Sequence, residues 1–167
     1  MKTPKVALVM GSDSDFEALK PCIKRLKSFG IECMVRVISA HRTPQLAKDF
    51  ASNAENDGFD CIIAAAGKAA HLPGVLAAFT TLPVIGIPIK SSTMDGMDSL
   101  FSIVQMPSGI PVATVAINGS DNAAILACQM LALKYEELGA KLKAFKEEMR
   151  VAVEAKDAKI QALADEL

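Results

Sequence analysis

The chain of 167 residues holds two histidines, and each lies in a short polar stretch between apolar runs. His41 belongs to Ser39-Ala40-His41-Arg42-Thr43-Pro44, and His71 to Ala66-Gly67-Lys68-Ala69-Ala70-His71-Leu72-Pro73-Gly74. An imidazole changes charge near neutral pH, which proton transfer in catalysis requires. Beside His41, Arg42 offers a planar guanidinium suited to phosphate. A third stretch, Gly11-Ser12-Asp13-Ser14-Asp15, supplies hydroxyls and backbone N–H groups at a helix start, a cradle for phosphate. Asp15 there is suited to accept from ribose hydroxyls. Plain structural readings stand beside these. Ser and Asp are the commonest helix caps, and a lone loop histidine is often structural. Two alternatives stay open: His71 either points into a site or holds its loop in shape, and Lys68 either binds a carboxylate or faces solvent. The first stretch is no Walker loop, because no Gly-Lys-Ser/Thr follows. Histidines without paired spacing and scattered carboxylates make no metal-ligand set, so none is expected.

These stretches need elements to bring them together. Five apolar runs rich in Val and Ile, at 5–10, 33–38, 61–66, 84–88 and 112–117, predict strands covered on both faces. Helical patterns over 14–29, 43–56, 69–80, 96–105 and 121–138 separate them. Regular alternation predicts an α/β fold with a doubly wound parallel sheet, whose site lies beyond the carboxyl ends of the strands. The three stretches fall at that edge, as do 89–99 and 118–122.

After Leu138 the character changes. Leu138, Leu142, Phe145, Met149, Val153, Ile160, Leu163 and Leu167 form one apolar stripe on a charged helix. The expected organisation is a catalytic domain over 1–138 and a C-terminal helix over 139–167 that packs on a neighbouring subunit. Net charge is −1, with 18 basic and 19 acidic residues, which gives no case for nucleic acid or membrane as a partner. No apolar stretch approaches the roughly 20 residues of a membrane span. The N-terminal stretch lacks a small-residue cleavage site, so no signal peptide is expected. Cys22, Cys33, Cys61 and Cys128 lie outside any C-x-x-C pair and read as reduced thiols of a cytoplasmic protein.

Six separated stretches together resemble one family, the 5-(carboxyamino)imidazole ribonucleotide mutases, long called the catalytic subunit of phosphoribosylaminoimidazole carboxylase. They are VMGSDSD (9–15), SAHRTP (39–44), AAHLPG (69–74), LPVIGIP (82–88), DSLFSIVQMPSGIPVATVAI (98–117) and NAAILA (122–127). The resemblance implies a flavodoxin-like three-layer α/β/α sandwich with a five-stranded parallel sheet and a long C-terminal helix contacting neighbours in a homo-octamer. It implies an enzyme of purine biosynthesis, without metal or cofactor, whose ribonucleotide substrate is a carbamate made by an ATP-dependent synthetase. By that resemblance Ser12, Ser39 and Arg42 lie near the phosphate, Asp15 on the ribose and Ser14 by the carboxyl group. His41 is the general acid and base, and Gly67 and Leu72 lie beside the imidazole. Ala40, Lys68 and His71 complete the substrate-binding loops. One departure stands out: the family pattern is Gly-Gly-Ala-Ala-His where this chain has Gly67-Lys68-Ala69-Ala70-His71. A second branch of the family, which carboxylates the aminoimidazole directly, carries a basic residue near this place but lacks the RTP and AHLPG stretches. Two rivals fit poorly. A receiver domain needs an aspartate at the end of the third strand, whereas Asp60 is at its start. A flavin site uses aromatic stacking, and this chain has no Trp and only Tyr135 as tyrosine.

Overall fold

A computed structural model describes residues 3–167. In chain order the elements are β1 (Lys5–Met10), α1 (Phe16–Ser28), β2 (Glu32–Val37), α2 (Pro44–Asn53), β3 (Cys61–Gly67), α3 (Leu72–Ala77), β4 (Val84–Ile89), α4 (Met97–Val104), β5 (Ala113–Thr114), α5 (Ser120–Leu131) and α6 (Glu136–Asp165). A short 3₁₀ turn, Asp13–Asp15, leads into α1. All strand pairs are parallel, in the order β2-β1-β3-β4-β5. That is the flavodoxin-like order.

The continuous apolar runs serve two cores at once, because successive side chains of a strand leave by opposite faces. Val6, Leu8, Met10, Ile63 and Ala65 pack towards α1, α5 and the start of α6, meeting Leu19, Leu26, Ala127 and Leu138. Their neighbours Ala7, Val9, Ile62 and Ala64 pack the other way, against Phe50 of α2, Leu76 of α3 and Ile103 of α4. Gly86 of β4 shows how close the helices sit. A Cβ added there would overlap Ile103 Cγ2 and reach Val112 Cγ1 at 2.9 Å.

The structure departs from the sequence expectation in four places. β2 is an edge strand, not a doubly covered one, and Val37 is 52% exposed. β5 is only Ala113–Thr114, although Val115 N–H still donates to Gly86 (3.1 Å) and Asn118 N–H to Pro88 (2.8 Å). Pro88 faces that strand with a carbonyl but no N–H, which ends the ladder. The helix expected over 69–80 starts only at Leu72, after a loop in which Lys68 has φ +56°. The helix expected over 121–138 ends at Leu131, and a new one begins at Glu136. The boundary drawn at 138/139 therefore falls inside α6, and the apolar stripe divides. Leu138 is buried, and Leu142 and Phe145 pack on the chain's own core, while Met149, Val153, Ile160 and Leu163 are exposed.

Tertiary contacts set the joint at 132–135. Asp60, immediately before β3, accepts from the Tyr135 hydroxyl (3.0 Å), Lys134 Nζ (2.8 Å) and Lys5 N–H (3.0 Å). The first half of α6 is then held against α1. Lys141 Nζ donates to the Phe29 carbonyl at 2.6 Å, and Arg25, forked onto Asp121, lies 4.3 Å over the Phe145 ring.

Candidate active site

β1 runs between β2 and β3, so the crossovers diverge there and leave a crevice at the carboxyl edge. In it lies a cavity of about 550 Å³, walled by the loops after β1, β2, β3 and β4. From the first loop come Ser12, Ser14 and Asp15, and from the second Ser39, Ala40, His41 and Arg42. The third contributes Gly67, Lys68, His71 and Leu72. Every residue singled out from the sequence thus reaches the same cavity. Sequence reasoning missed Gly11, Ala66, Ala69, Ile89, Lys90, Ser91 and Ser92 as lining residues. The edge rule had pointed to the loop after β4, but a lysine and serines carry no signature that separates lining from surface.

The local structure of each loop explains what it presents. After β2, Thr43 closes a turn on Ser39: its N–H (2.8 Å) and hydroxyl (2.9 Å) donate to the Ser39 carbonyl, and its Oγ1 accepts from Ser39 N–H at 3.0 Å. Thr43 is thereby occupied, and the turn holds His41 and Arg42 outward, both exposed. Ser39 Oγ accepts from Arg42 N–H (3.2 Å) and keeps its own proton free to donate. After β1, Ser12 Oγ accepts from Ser14 N–H at 3.3 Å, which caps the 3₁₀ turn. Ser14 Oγ lies 2.9 Å from Ser12 Oγ and 3.2 Å from Asp15 Oδ1. Burial pushes the Asp15 carboxyl above the usual range, against the opposing pull of the Ser14 hydroxyl.

The two histidines meet although 30 positions separate them. His41 Nε2 and His71 Nδ1 are 2.8 Å apart, and the rings stand at 85° to each other. One nitrogen of the pair donates and the other accepts, so each ring fixes the other's tautomer. Lys68 is exposed in the wall, and Ser102 Oγ donates to its carbonyl at 3.4 Å. Lys90 Nζ lies 3.2 Å from Asp95. Among the described residues no group of three or more His, Cys, Asp or Glu is placed to hold a metal ion, and no helix is long and apolar enough to cross a membrane. The four cysteines are free and stand away from the cavity; burial raises Cys33 and Cys128 to about 11 and Cys61 to about 12.

Opposite this edge, Glu55, Asp60, Lys134 and Tyr135 help line a second cavity of about 390 Å³. Three of these are already joined: Asp60 holds Lys134 and Tyr135, and its carboxyl is kept below the usual range by those donors and Lys5 N–H despite burial. Tyr135 therefore lies at the amino edge, far from the histidines.

An open, hydroxyl-lined cavity with paired imidazoles suits proton transfer on a small anionic ligand. An N5-carboxyaminoimidazole ribonucleotide mutase of Saccharolobus solfataricus is 56% identical over 88% of this chain and 93% of its own length. One of Thermotoga maritima is 51% identical over 96% of this chain and 94% of its own. The crystal structure of Treponema denticola PurE superposes with a TM-score of 0.83 at 31% identity, covering 93% of this chain and 98% of that one. Residues 5–152 match the AIR carboxylase family, and the chain belongs to it.

Proposed function

We propose that this chain is a mutase of purine biosynthesis that moves the carboxyl group of 5-carboxyamino-1-(5-phosphoribosyl)imidazole from nitrogen to carbon 4 of the ring. The observation that carries this is the His41–His71 pair, 2.8 Å apart at the wall of the shared cavity. The chemistry needs one proton delivered and one recovered. Protonation of the carbamate nitrogen breaks its bond to carbon and releases carbon dioxide and the aminoimidazole. Carbon 4 then attacks carbon dioxide, and loss of its proton restores the ring. A single imidazole, His41, gives the first proton and takes the second. His71 holds that imidazole in orientation through the shared hydrogen bond. Arg42, Ser39 and Ser12 serve the phosphate, Asp15 the ribose and Ser14 the carboxyl group, with Gly67 and Leu72 against the ring. Holding carbon dioxide beside carbon 4 replaces a bimolecular encounter by an effectively unimolecular one.

The assembly belongs to the same reading. The exposed half of α6 packs on a neighbouring copy in a homo-octamer, the protein works in the cytoplasm, and an ATP-dependent synthetase supplies the carbamate. Removing residues 147–167 leaves the docked half in place, and light scattering should then report smaller species; an unchanged octamer would remove the arm from the interface.

Labelled carbamate in unlabelled bicarbonate buffer tests the chemistry. Label retained in the 4-carboxy product, without added ATP or metal, is the expected result. Label lost to buffer, with efficient carboxylation of the free aminoimidazole, would establish direct carboxylation instead.

A further inference from the structure

The cavity carries Arg42, Lys68 and Lys90 besides its histidines. Arg42 follows β2, whereas Lys68 and Lys90 follow β3 and β4, which lie beyond β1 in the sheet. β2 and β3 lie two strand spacings apart, roughly 10 Å, so the loops that carry the two groups of cations leave the sheet on opposite sides of β1. A carboxylated aminoimidazole ribonucleotide is anionic at both ends, with phosphate on one side and carboxyl on the other. Cations are thus offered from loops on both sides of β1 to a ligand that is anionic at both ends.

Lys90 already has a partner in Asp95. Lys68 has no ion pair among the described residues. Its backbone is also unusual. At φ +56° it occupies the left-handed region that favours glycine, and its carbonyl lies 3.4 Å from Ser102 Oγ, which is 2.7 Å from the Asp98 carbonyl. Glycine would make the same turn and accept the same bond without strain. An unpartnered cation is thus kept at a strained position in the wall of a site, the circumstance in which strain points to a ligand.

We propose that Lys68 is a specificity-determining residue that binds the carboxyl group of the carboxylated ribonucleotide, and so favours carbamate and 4-carboxylate over the uncarboxylated aminoimidazole ribonucleotide. The assignment rests on the proposed conversion. It has a kinetic corollary. Carboxylate charge is present in substrate and product but absent from the carbon dioxide between them. Lys68 therefore strengthens the ground states more than the path between them, so its loss raises KM and kcat in the same direction and changes kcat/KM less than either.

Lys68→Gly, Lys68→Arg and Lys90→Gln provide the test, with turnover of the carbamate and equilibrium binding of the 4-carboxylate and of the bare aminoimidazole ribonucleotide as readouts. Lys68→Gly should raise KM about tenfold and weaken 4-carboxylate binding equally, the lower end for a charge-assisted contact, with kcat rising rather than falling. Binding of the uncarboxylated ligand should change less than about twofold, and Lys68→Arg should restore most of the loss. Equal weakening of both ligands, no change in either, or the selective loss appearing in Lys90→Gln instead would overturn the assignment. If wild-type protein turns over the carbamate while Lys68→Gly shows no selectivity, only the role of Lys68 falls. A wild-type protein that does not convert the carbamate removes the proposed conversion, and this assignment with it.

Discussion

The two ends of the sheet treat charge and backbone strain in opposite ways. At the amino edge Asp60 gathers Lys5 N–H, Lys134 and Tyr135, and the turns that need a positive φ use glycine, Gly30 and Gly58. At the carboxyl edge Asp15 is partly buried among hydroxyls, Lys68 lacks an ion-pair partner among the described residues, and the positive φ values fall on Lys68, Asp95 and Asn118 as well as Gly96. One end is arranged for stability. The other keeps strained and incompletely paired groups where a ligand can meet them, as functional sites do. Both ends hold a carboxyl displaced from its usual range, so displacement alone does not find the site.

The largest effect should come from removing chemistry without touching packing. His41→Asn is expected to keep the fold and substrate binding while turnover drops about 10²–10⁴-fold. Steady-state kinetics with circular dichroism as a control decides it, and near-normal turnover in the folded variant would end the assignment. The opposite edge should answer in stability instead. Asp60→Ala leaves the Tyr135 hydroxyl and Lys5 N–H without their acceptor, at a cost of about 2–3 kcal/mol by chemical denaturation. Its kcat should stay close to wild type.

Acid should then separate the two carboxyls by sign. Asp60 is depressed when folded, so its contribution is complete above the unfolded value of about 3.9 and is lost as pH falls through the folded one. The deficit of Asp60→Asn should therefore shrink below about pH 4. Asp15 is raised, so its ionised form costs stability above the folded value, and that cost disappears as pH falls to the unfolded one. Asp15→Asn should accordingly be slightly more stable than wild type at neutral pH and indistinguishable in acid. A deficit at neutral pH would mean that Asp15 supports the fold. The smallest change is Lys68→Gly, which relieves a left-handed lysine but adds freedom to the unfolded chain, for a net gain of about 0.5–1 kcal/mol. A loss on thermal melting would show that the lysine supports its loop.

Much of this contrast was legible in the residues. Apolar runs without alternation announced a covered parallel sheet, and the rule that sites lie at its carboxyl edge gathers Ser12, His41 and Gly67 from the sequence alone. The break after Leu131 was not legible, because Ala132-Leu133-Lys134-Tyr135 has no Gly or Pro and the apolar spacing runs through it. Asp60, remote in sequence, makes the joint there. The shortness of β5 depends on which side of β4 Pro88 presents to it, and the pairing of His41 with His71 on two loops meeting. Lys68 was visible as an odd residue, but nothing in its type announces a positive φ.

The outer half of α6 has one more consequence. The whole helix spans about 45 Å, yet beyond Phe145 every residue is exposed and none is packed on the core of the domain that carries it. A helical segment in water without tertiary packing is only marginally stable. Its order is then lent by whatever lies along it, and where the lender is another copy the loan follows mass action. Helix content becomes a function of concentration: far-UV ellipticity per residue should decline on dilution while the sheet remains intact, and proteases should find the arm first in the most dilute samples.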